Sequence, residues 1–255
     1  MPGENKPAWV DLSSTDPAGS RAFYARLFGW KIDVNPDPQY GGYALAKQSD
    51  VDVAGIGPKQ PGDPSPTAWS VYIGTKDADA TAKKVGPAGG TVIAPPFDVP
   101  GQGRMAVFQD PSGAFVSAWQ AQAMAGFHSG GENQFGWAEL NSRGLEKALP
   151  FYRSVFGWSA KTSAAGAPDA PPYTEFQLGG ESFAGAMEMN PMVPKDVPSY
   201  WMPYFNVTDI DAAFKKAKDA GAREMMAPQE FPGGRFAILA DPQGAAFGLL
   251  RMRSR

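Results

Sequence analysis

The two halves of this chain carry the same sequence elements in the same order. Residues 9–30 read WVDLSSTDPAGSRAFYARLFGW, and residues 137–158 read WAELNSRGLEKALPFYRSVFGW. Near the end of each half, GRMAVFQDPSG at 103–113 returns as GRFAILADPQG at 234–244. A long period that occurs twice indicates copies of one supersecondary unit that bury a core or a cavity against each other. The sequence therefore predicts a first domain over 1–120, a linker over 121–134 and a second domain over 135–255.

Each half predicts the same series of elements. An alternating strand begins at Trp9, and Asp16 and Pro17 then stand at the N-cap and first position of a helix that ends before Gly29. Three strands, a second helix and a hairpin about DPSG or DPQG follow. The predicted class is α+β, with β-α-β-β-β units in overlapping copies, four per chain. The Pro/Gly-rich stretches 57–67, 87–101 and 162–172 are predicted to be loops.

Composition excludes several classes of partner. The 255 residues include 23 Lys and Arg against 26 Asp and Glu, and no basic tract stands out, so we expect neither nucleic acid nor an anionic membrane as a partner. There is no apolar run long enough for a membrane span, and the first residues do not resemble a signal peptide. The chain has no cysteine. We expect a cytoplasmic protein, monomeric or homodimeric, whose partner is a small molecule.

The alternating strand, the FYxxxFGW helix and the GR…DPxG hairpin, present twice, resemble the vicinal oxygen chelate superfamily, which includes glyoxalase I, bleomycin resistance proteins and extradiol dioxygenases. The tandem form, at 27.1 kDa, is similar to the glyoxalase-like proteins of actinobacteria. The resemblance implies that βαβββ modules pair so that curved sheets enclose cavities, with the helices outside.

The resemblance also implies where metal ligands would stand, on the first strand, on the strand before the second helix and on the last strand. Histidine or glutamate would be expected at these positions. The only histidine of the chain, His128, lies in the predicted linker, so a site with two histidines and one carboxylate cannot be built within one chain. We expect no metal and no other cofactor. The positions fall on Trp9, Ser70 and Ser117 in the first half, and on Trp137, Met202 and Gly248 in the second.

Alternation along the strands defines a candidate ligand-binding face. Val10, Leu12 and their counterparts form an apolar set that the helices would cover, so the intervening residues face the other way. Large aromatic side chains with a few polar groups are typical of a small-molecule pocket. The same aromatic side chains could instead fill the interior as core. The residues predicted to bind a ligand are Trp9, Tyr72, Ser117, Trp119, Trp137, Met202 and Tyr204.

Two carboxylates and two arginines occupy matching positions in the halves. Asp11 and Glu139 could act as general acid and base or hold a cationic ligand, or they could cap a turn or pair with an arginine. Arg104 and Arg235 could bind an anionic or carbonyl-bearing ligand, or close a salt bridge at a strand end. Trp69 and Trp201 alternate with the candidate binding residues of their strands, so they point to the other face and are predicted to be packing residues. Trp30 and Trp158, at the ends of the first helices of the two halves, are predicted to be core.

These features favour a metal-independent protein that binds an aromatic or apolar small molecule, in antibiotic sequestration or in an accessory step of secondary-metabolite biosynthesis. One alternative is an enzyme, either a glyoxalase-like lyase or a cofactor-free isomerase, cyclase or hydroxylase-type enzyme that uses Asp11 or Glu139. Metal-dependent glyoxalase or extradiol dioxygenase activity is not expected. A second alternative is a protein-interaction module with a collapsed cavity.

Overall fold

The computed structural model describes residues 3–163 and 172–253. Of the predicted loop 162–172, residues 164–171 lie outside the described residues. The helices are α1 (Pro17–Phe28), α2 (Ala78–Val85), α3 (Leu145–Phe156) and α4 (Ile210–Asp219), with a 3-10 turn at Pro38–Tyr40. The strands are β1 (Pro7–Ser14), β2 (Lys31–Val34), β3 (Ala44–Gln48), β4 (Val51–Pro58), β5 (Ala68–Gly74), β6 (Thr91–Val99), β7 (Gly103–Gln109), β8 (Phe115–Ala121), β9 (Phe135–Ser142), β10 (Ser159–Ser163), β11 (Tyr173–Leu178), β12 (Glu181–Glu188), β13 (Tyr200–Asn206), β14 (Arg223–Phe231), β15 (Gly234–Ala240) and β16 (Ala246–Met252).

The first helix begins and ends where its sequence predicts. The Asp16 carboxylate accepts a hydrogen bond from the Gly19 N–H at 3.0 Å, and Pro17 is the first helical residue. Gly29 ends the helix with a φ of 73°, a left-handed conformation that favours glycine. α3 lacks a side-chain cap at Gly144, and its Leu145 N–H donates to the Glu188 carboxylate of β12 instead.

The α+β class is confirmed, with four β-α-β-β-β modules in succession. The sequence did not identify the strand that follows each helix, namely β2, β6, β10 and β14. The prediction of a loop over 87–101 was wrong, because β6 occupies Thr91–Val99. β6 is an edge strand whose pairing with β7 shifts register between Ala94 and Phe97, around two prolines. Edge strands and bulges are the positions where a sheet tolerates proline.

The strands form two eight-stranded mixed sheets. Their orders are β2-β3-β4-β1-β5-β8-β7-β6 and β10-β11-β12-β9-β13-β16-β15-β14. In every module the first and last strands pair in parallel, which fixes the neighbours of the predicted site residues. The pairs of opposite residues are Asp11 with Gly55, Tyr72 with Ser117, Glu139 with Gly185, and Tyr204 with Gly248.

The modules associate in pairs that draw on both halves of the sequence. Unit 1 contains Met1–Trp9, Val71–Gly126 and Ala138–Met202, so it combines the second module with the third. Unit 2 contains Val10–Ser70, Phe127–Trp137 and Pro203–Arg255, so it combines the first module with the fourth. Each compact unit is therefore completed within one chain.

A buried chain of hydrogen bonds lies in the core of unit 2. The Trp69 Nε1–H donates to the Tyr24 hydroxyl at 3.0 Å, and that hydroxyl donates to Asp241 Oδ2 at 3.0 Å. Tyr24 comes from the FY motif of the first module, and Asp241 from the DPQG turn of the fourth. Burial, and then the nearby Asp241 charge, raise the pKa of Tyr24.

Unit 1 repeats this arrangement. The Trp201 Nε1–H donates to the Tyr152 hydroxyl at 2.7 Å, and Tyr152 donates to Asp110 Oδ2 at 2.9 Å. The predicted packing roles of Trp69 and Trp201 are confirmed by these contacts and by their burial. Trp30 and Trp158 are also buried, as predicted.

None of the helices in the described residues combines the length and the apolar character that crossing a bilayer requires.

Candidate functional site

The residues predicted to bind a ligand are distributed over both units. Most are buried; Trp137, Arg104 and Arg235 are half-buried. The two predicted acid/base residues fall in different units, Glu139 in unit 1 and Asp11 in unit 2. The binding residues of unit 1 are Trp9, Tyr72, Arg104, Ser117, Trp119 and Met202, and those of unit 2 are Trp137, Tyr204 and Arg235.

An aromatic row crosses the sheet in unit 2. The Tyr204 ring contacts the Phe236 ring with centroids 6.3 Å apart, and Phe236 contacts Phe231 at 5.9 Å, both edge to face. Tyr204 is 4% exposed, whereas Phe236 and Phe231 are half-buried. We call Tyr204, Phe236 and Phe231 the aromatic row. It passes from the core to the surface, so a flat apolar ligand could stack on its outer rings.

Tyr204 also covers a position where the superfamily resemblance implied a metal ligand. Tyr204 and Gly248 are opposite residues of β13 and β16. A Cβ atom on Gly248 would overlap the Tyr204 ring, so no larger residue fits there unless the ring moves. The Tyr204 ring therefore occupies the space that a larger side chain at position 248 would need.

Trp119 takes a comparable place in unit 1. A Cβ atom on Gly103 would lie 2.6 Å from Trp119 Cζ2, so the indole ring lies directly over that glycine. The Trp119 Nε1–H donates to the Met124 carbonyl at 2.9 Å. Across the sheet, Trp119 pairs with Met105 and Met105 with Phe97, which is 44% exposed. Directly opposite residues share a face, so unit 1 also carries an apolar row that reaches the surface.

Asp11 lies beside Tyr43, which the motifs of the sequence do not single out. The Tyr43 hydroxyl donates to Asp11 Oδ2 at 3.4 Å, and a Cβ atom on Gly55 would overlap that hydroxyl. Tyr43 also covers Gly57. The two glycines alternate along β4 on the face of Asp11, and this spacing was the signal that a bulky neighbour covers them.

Glu139 is the more deeply buried of the two carboxylates, at 6% exposed. The Asn141 side-chain amide donates to Glu139 Oε1 at 3.4 Å. Burial, and then the charge of Glu139, raise the pKa of Tyr200. Tyr200 was not predicted as a site residue, although it lies on the same face of β13 as Met202 and Tyr204. A buried carboxylate in this setting can accept a proton, or bind a cationic or hydroxyl group.

The side chains at the implied metal positions do not fit a metal ion of the superfamily type. They offer indole rings, two serine hydroxyls, a thioether and a glycine, whereas Zn, Fe, Ni and Mn sites use imidazole and carboxylate ligands. Across residues 3–163 and 172–253, no three His, Cys, Asp or Glu side chains form a group that could hold a metal ion. His128 lies on the segment that joins β8 to β9, where its backbone N–H donates to the Asp52 carbonyl.

Both arginines form salt bridges at the starts of their strands. Arg104 contacts Asp79 of α2 at 2.8 Å and Asp98 of β6 at 2.9 Å. Arg235 pairs with Asp211 of α4, and its Nε lies 3.4 Å from Glu230. These carboxylates raise the pKa of both guanidinium groups. The geometry corresponds to the salt-bridge alternative, while a ligand-binding role remains a prediction.

Comparison with known proteins identifies relatives that match this chain over nearly its whole length. "Putative glyoxylase CFP32" of Mycobacterium tuberculosis (strain CDC 1551 / Oshkosh) is 41% identical over 259 residues, which cover 97% of this chain and 95% of the relative. "Anthracycline biosynthesis protein DnrV" of Streptomyces peucetius is 38% identical over 262 residues, with 97% and 93% covered.

Solved structures share the fold at much lower identity. The Mn(II)-bound glyoxalase from Novosphingobium aromaticivorans superposes with a TM-score of 0.67 at 16% identity, over 97% of this chain and 82% of the other. The sequence profile of the Glyoxalase/Bleomycin resistance protein/Dioxygenase superfamily matches residues 6–117 and again 134–249. The resemblance inferred from the FYxxxFGW and DPxG motifs is thereby confirmed, and the chain belongs to the glyoxalase/bleomycin resistance protein/dioxygenase superfamily.

Proposed function

We propose that this protein binds an aromatic small molecule without a metal ion, and that it serves in the sequestration of an antibiotic or as an accessory protein in secondary-metabolite biosynthesis. The observation that carries the proposal is the aromatic row. Its inner ring, Tyr204, takes the space beside Gly248, where a metal-dependent relative would place a ligand. Aromatic stacking thus replaces metal coordination as the means of holding a ligand.

The name of one relative is consistent with this ligand class. DnrV is named as an anthracycline biosynthesis protein and is 38% identical to this chain. Anthracyclines are polycyclic aromatic molecules whose flat faces could stack on Phe236 and Phe231. We further propose a cytoplasmic monomer or homodimer that binds neither nucleic acid nor membranes.

The proposal is tested by titrating the protein with an anthracycline and a panel of smaller aromatic compounds while tryptophan fluorescence is recorded. We expect saturable quenching by at least one polycyclic compound. Replacing Phe236 by Ala should weaken that binding by about two- to tenfold, because one aromatic contact contributes roughly 0.5–1.5 kcal/mol. The matched control is Phe214→Ala, which removes a half-buried phenylalanine from α4 and should leave the affinity unchanged. Equal effects of the two variants, or no saturable response, would contradict the proposal.

A second candidate function is proton transfer at a bound ligand, and the burial of Glu139 beside Tyr200 favours it. A carboxylate buried beside a bound ligand can accept a proton from that ligand, which suits an isomerase or cyclase. If any tested ligand is converted, Glu139→Gln should abolish turnover while binding persists. The same comparison with Asp11→Asn decides which unit performs the reaction. Unchanged turnover in both variants would exclude these carboxylates from the chemistry.

A further inference from the structure

We propose that unit 2 contains a second binding site, a cleft that takes an oxyanion group of a small molecule between Arg235, Arg251 and Arg253. The cleft has a volume of about 350 Å³ and lies at the joined ends of β14, β15 and β16. Its lining residues are Glu230, Gly234, Arg235, Arg251, Met252 and Arg253.

The arginines of this cleft are held close together by the sheet. Arg235 of β15 and Arg251 of β16 are directly opposite residues of an antiparallel pair. Like charges in this arrangement destabilise a sheet, so a bound anion would relieve a repulsion that the fold otherwise imposes. Arg253 lies one residue past the end of β16 and also lines the cleft.

Salt bridges pair only two of the three arginines with nearby carboxylates. Arg235 pairs with Asp211 and, at 3.4 Å, with Glu230. Arg253 reaches the same Glu230, also at 3.4 Å. Within the part of the chain that the structure describes, Arg251 is exposed and has neither a salt bridge nor a side-chain hydrogen bond. Arg235 and Arg253 therefore share the Glu230 carboxylate, while the guanidinium group of Arg251 has no salt bridge among the described residues.

The first half of the chain offers an internal comparison at the same place in its own sheet. There the single Arg104 contacts two carboxylates, Asp79 and Asp98. The residue opposite Arg104 is Gln120, whose side-chain oxygen accepts a hydrogen bond from the first N–H of α2 at 2.9 Å. The residue two positions further is Gln122. The second half thus carries arginine at two positions where the first half carries glutamine, and this excess of positive charge belongs to one copy alone.

The chemistry of the cleft fits a phosphate or sulfate group. Guanidinium groups present several donors in a planar fork that matches two oxygens of such an anion. The side chains of Arg235 and Arg251 lie on the opposite face of the sheet from Phe236, because Arg235 precedes Phe236 on β15 and adjacent residues of a strand point to opposite faces. Anion binding by these arginines therefore does not depend on the function proposed above.

The test is calorimetric titration of the whole chain with inorganic pyrophosphate in low-salt buffer at neutral pH. We expect one saturable site per chain, and a weakening of at least about tenfold when Arg251 and Arg253 are replaced by Gln, the residue of the first half. The matched control is Lys84→Gln, which removes a positive charge at the end of α2 and should change the affinity by less than about twofold.

The replaced arginines are exposed, so the variants are expected to fold, and the rise in Tm on adding pyrophosphate gives a second readout. Three results would overturn the proposal. The first is no saturable heat with the unsubstituted protein, and the second is an unchanged affinity for pyrophosphate in the Arg251→Gln/Arg253→Gln variant. The third is an equal loss of affinity in Lys84→Gln, because net charge alone would then explain the effect.

Discussion

At the scale of single residues, the buried Trp–Tyr–Asp hydrogen bonds explain why two distant motifs occur together. Asp241 Oδ1 accepts the N–H groups of Gln243 and Ala245 at 2.9 Å, which closes the DPQG turn, while Oδ2 accepts the Tyr24 hydroxyl. One carboxylate thus shapes a turn of the fourth module and holds a helix of the first. A buried polar group is tolerated only when its hydrogen bonds are made.

Replacing Tyr24 by Phe should reduce the free energy of unfolding by about 1–3 kcal/mol, because the change leaves the buried Trp69 Nε1–H without an acceptor and removes a donor from Asp241. Tyr152→Phe should have a similar effect in unit 1. Both changes are measured by urea denaturation. A double-mutant cycle with Asp241→Asn should show coupling in unit 2, and purely additive losses would contradict the assigned hydrogen bond.

The pKa of Asp241 is raised by burial above its ordinary value of 3.8. In the pH range just above that value, the folded protein retains a proton on Asp241 that the unfolded chain has lost. The contribution of this group to stability therefore falls as the pH rises through that range, and it stays low above the folded-state pKa. The free energy of unfolding of the native protein, minus that of Asp241→Asn, should decrease with rising pH. An increase of this difference with rising pH would show that the pKa of Asp241 is lowered in the folded protein.

The sequence could predict part of this arrangement. The alternation of side chains along a strand predicted that Trp69 and Trp201 point away from the ligand face, and the structure confirms that they are packed in the core. It could not identify Tyr24 and Asp241 as partners, because strand and helix periodicities are local, and these residues come from opposite ends of the chain.

At the scale of elements, glycines on the strands make room for the aromatic side chains that cover them. Gly248 of β16 lies under Tyr204, Gly103 of β7 under Trp119, and Gly55 of β4 under Tyr43. Each strand thus accepts a residue of low β propensity where a ring must approach the backbone closely.

Gly248→Ala should destabilise the protein by about 1–3 kcal/mol, because the added methyl group overlaps the Tyr204 ring in a packed region. Gly86→Ala is the matched control. Gly86 has a helical φ of −59°, and a Cβ atom added there would have open space around it, so alanine should be neutral or stabilising by about 0.4–1 kcal/mol. Thermal unfolding measures both changes. Equal tolerance of the two alanines would show that the ring does not occupy the space over Gly248.

The elements themselves were predictable where their patterns are strong. The sequence of α1 has an N-cap residue, an apolar face of helical spacing and a glycine after its last turn, and the structure confirms the helix. The edge strands escaped prediction, because β6 carries two prolines and β10 is short and polar. Tyr43, Tyr200 and Phe236 were missed as site residues, since their roles depend on neighbours on other strands.

At the scale of the whole molecule, both halves of the duplicated sequence contribute modules to each compact unit. Each compact unit takes one module from each half of the sequence, the first with the fourth and the second with the third. The two halves of the sequence are therefore not the two compact units of the structure.

Cutting the chain between Gly126 and Phe127 tests this pairing. Each fragment alone lacks the partner modules that complete both cores, so neither should persist as a folded monomer. Mixed or co-expressed, the fragments should form a one-to-one complex with the circular dichroism spectrum of the intact protein. Tyr24→Phe in the first fragment should weaken that complex. An isolated fragment that unfolds cooperatively as a monomer would contradict the crosswise pairing.

In the function proposed above, aromatic side chains rather than a metal ion hold the ligand. The most direct measurement is the affinity for an aromatic ligand of protein that has been treated with a chelator and analysed for its metal content. We expect that binding is saturable with substoichiometric metal, and that adding Zn, Mn, Ni or Fe does not strengthen it. Binding that disappears on chelation and returns with one metal ion per chain would contradict the proposed function.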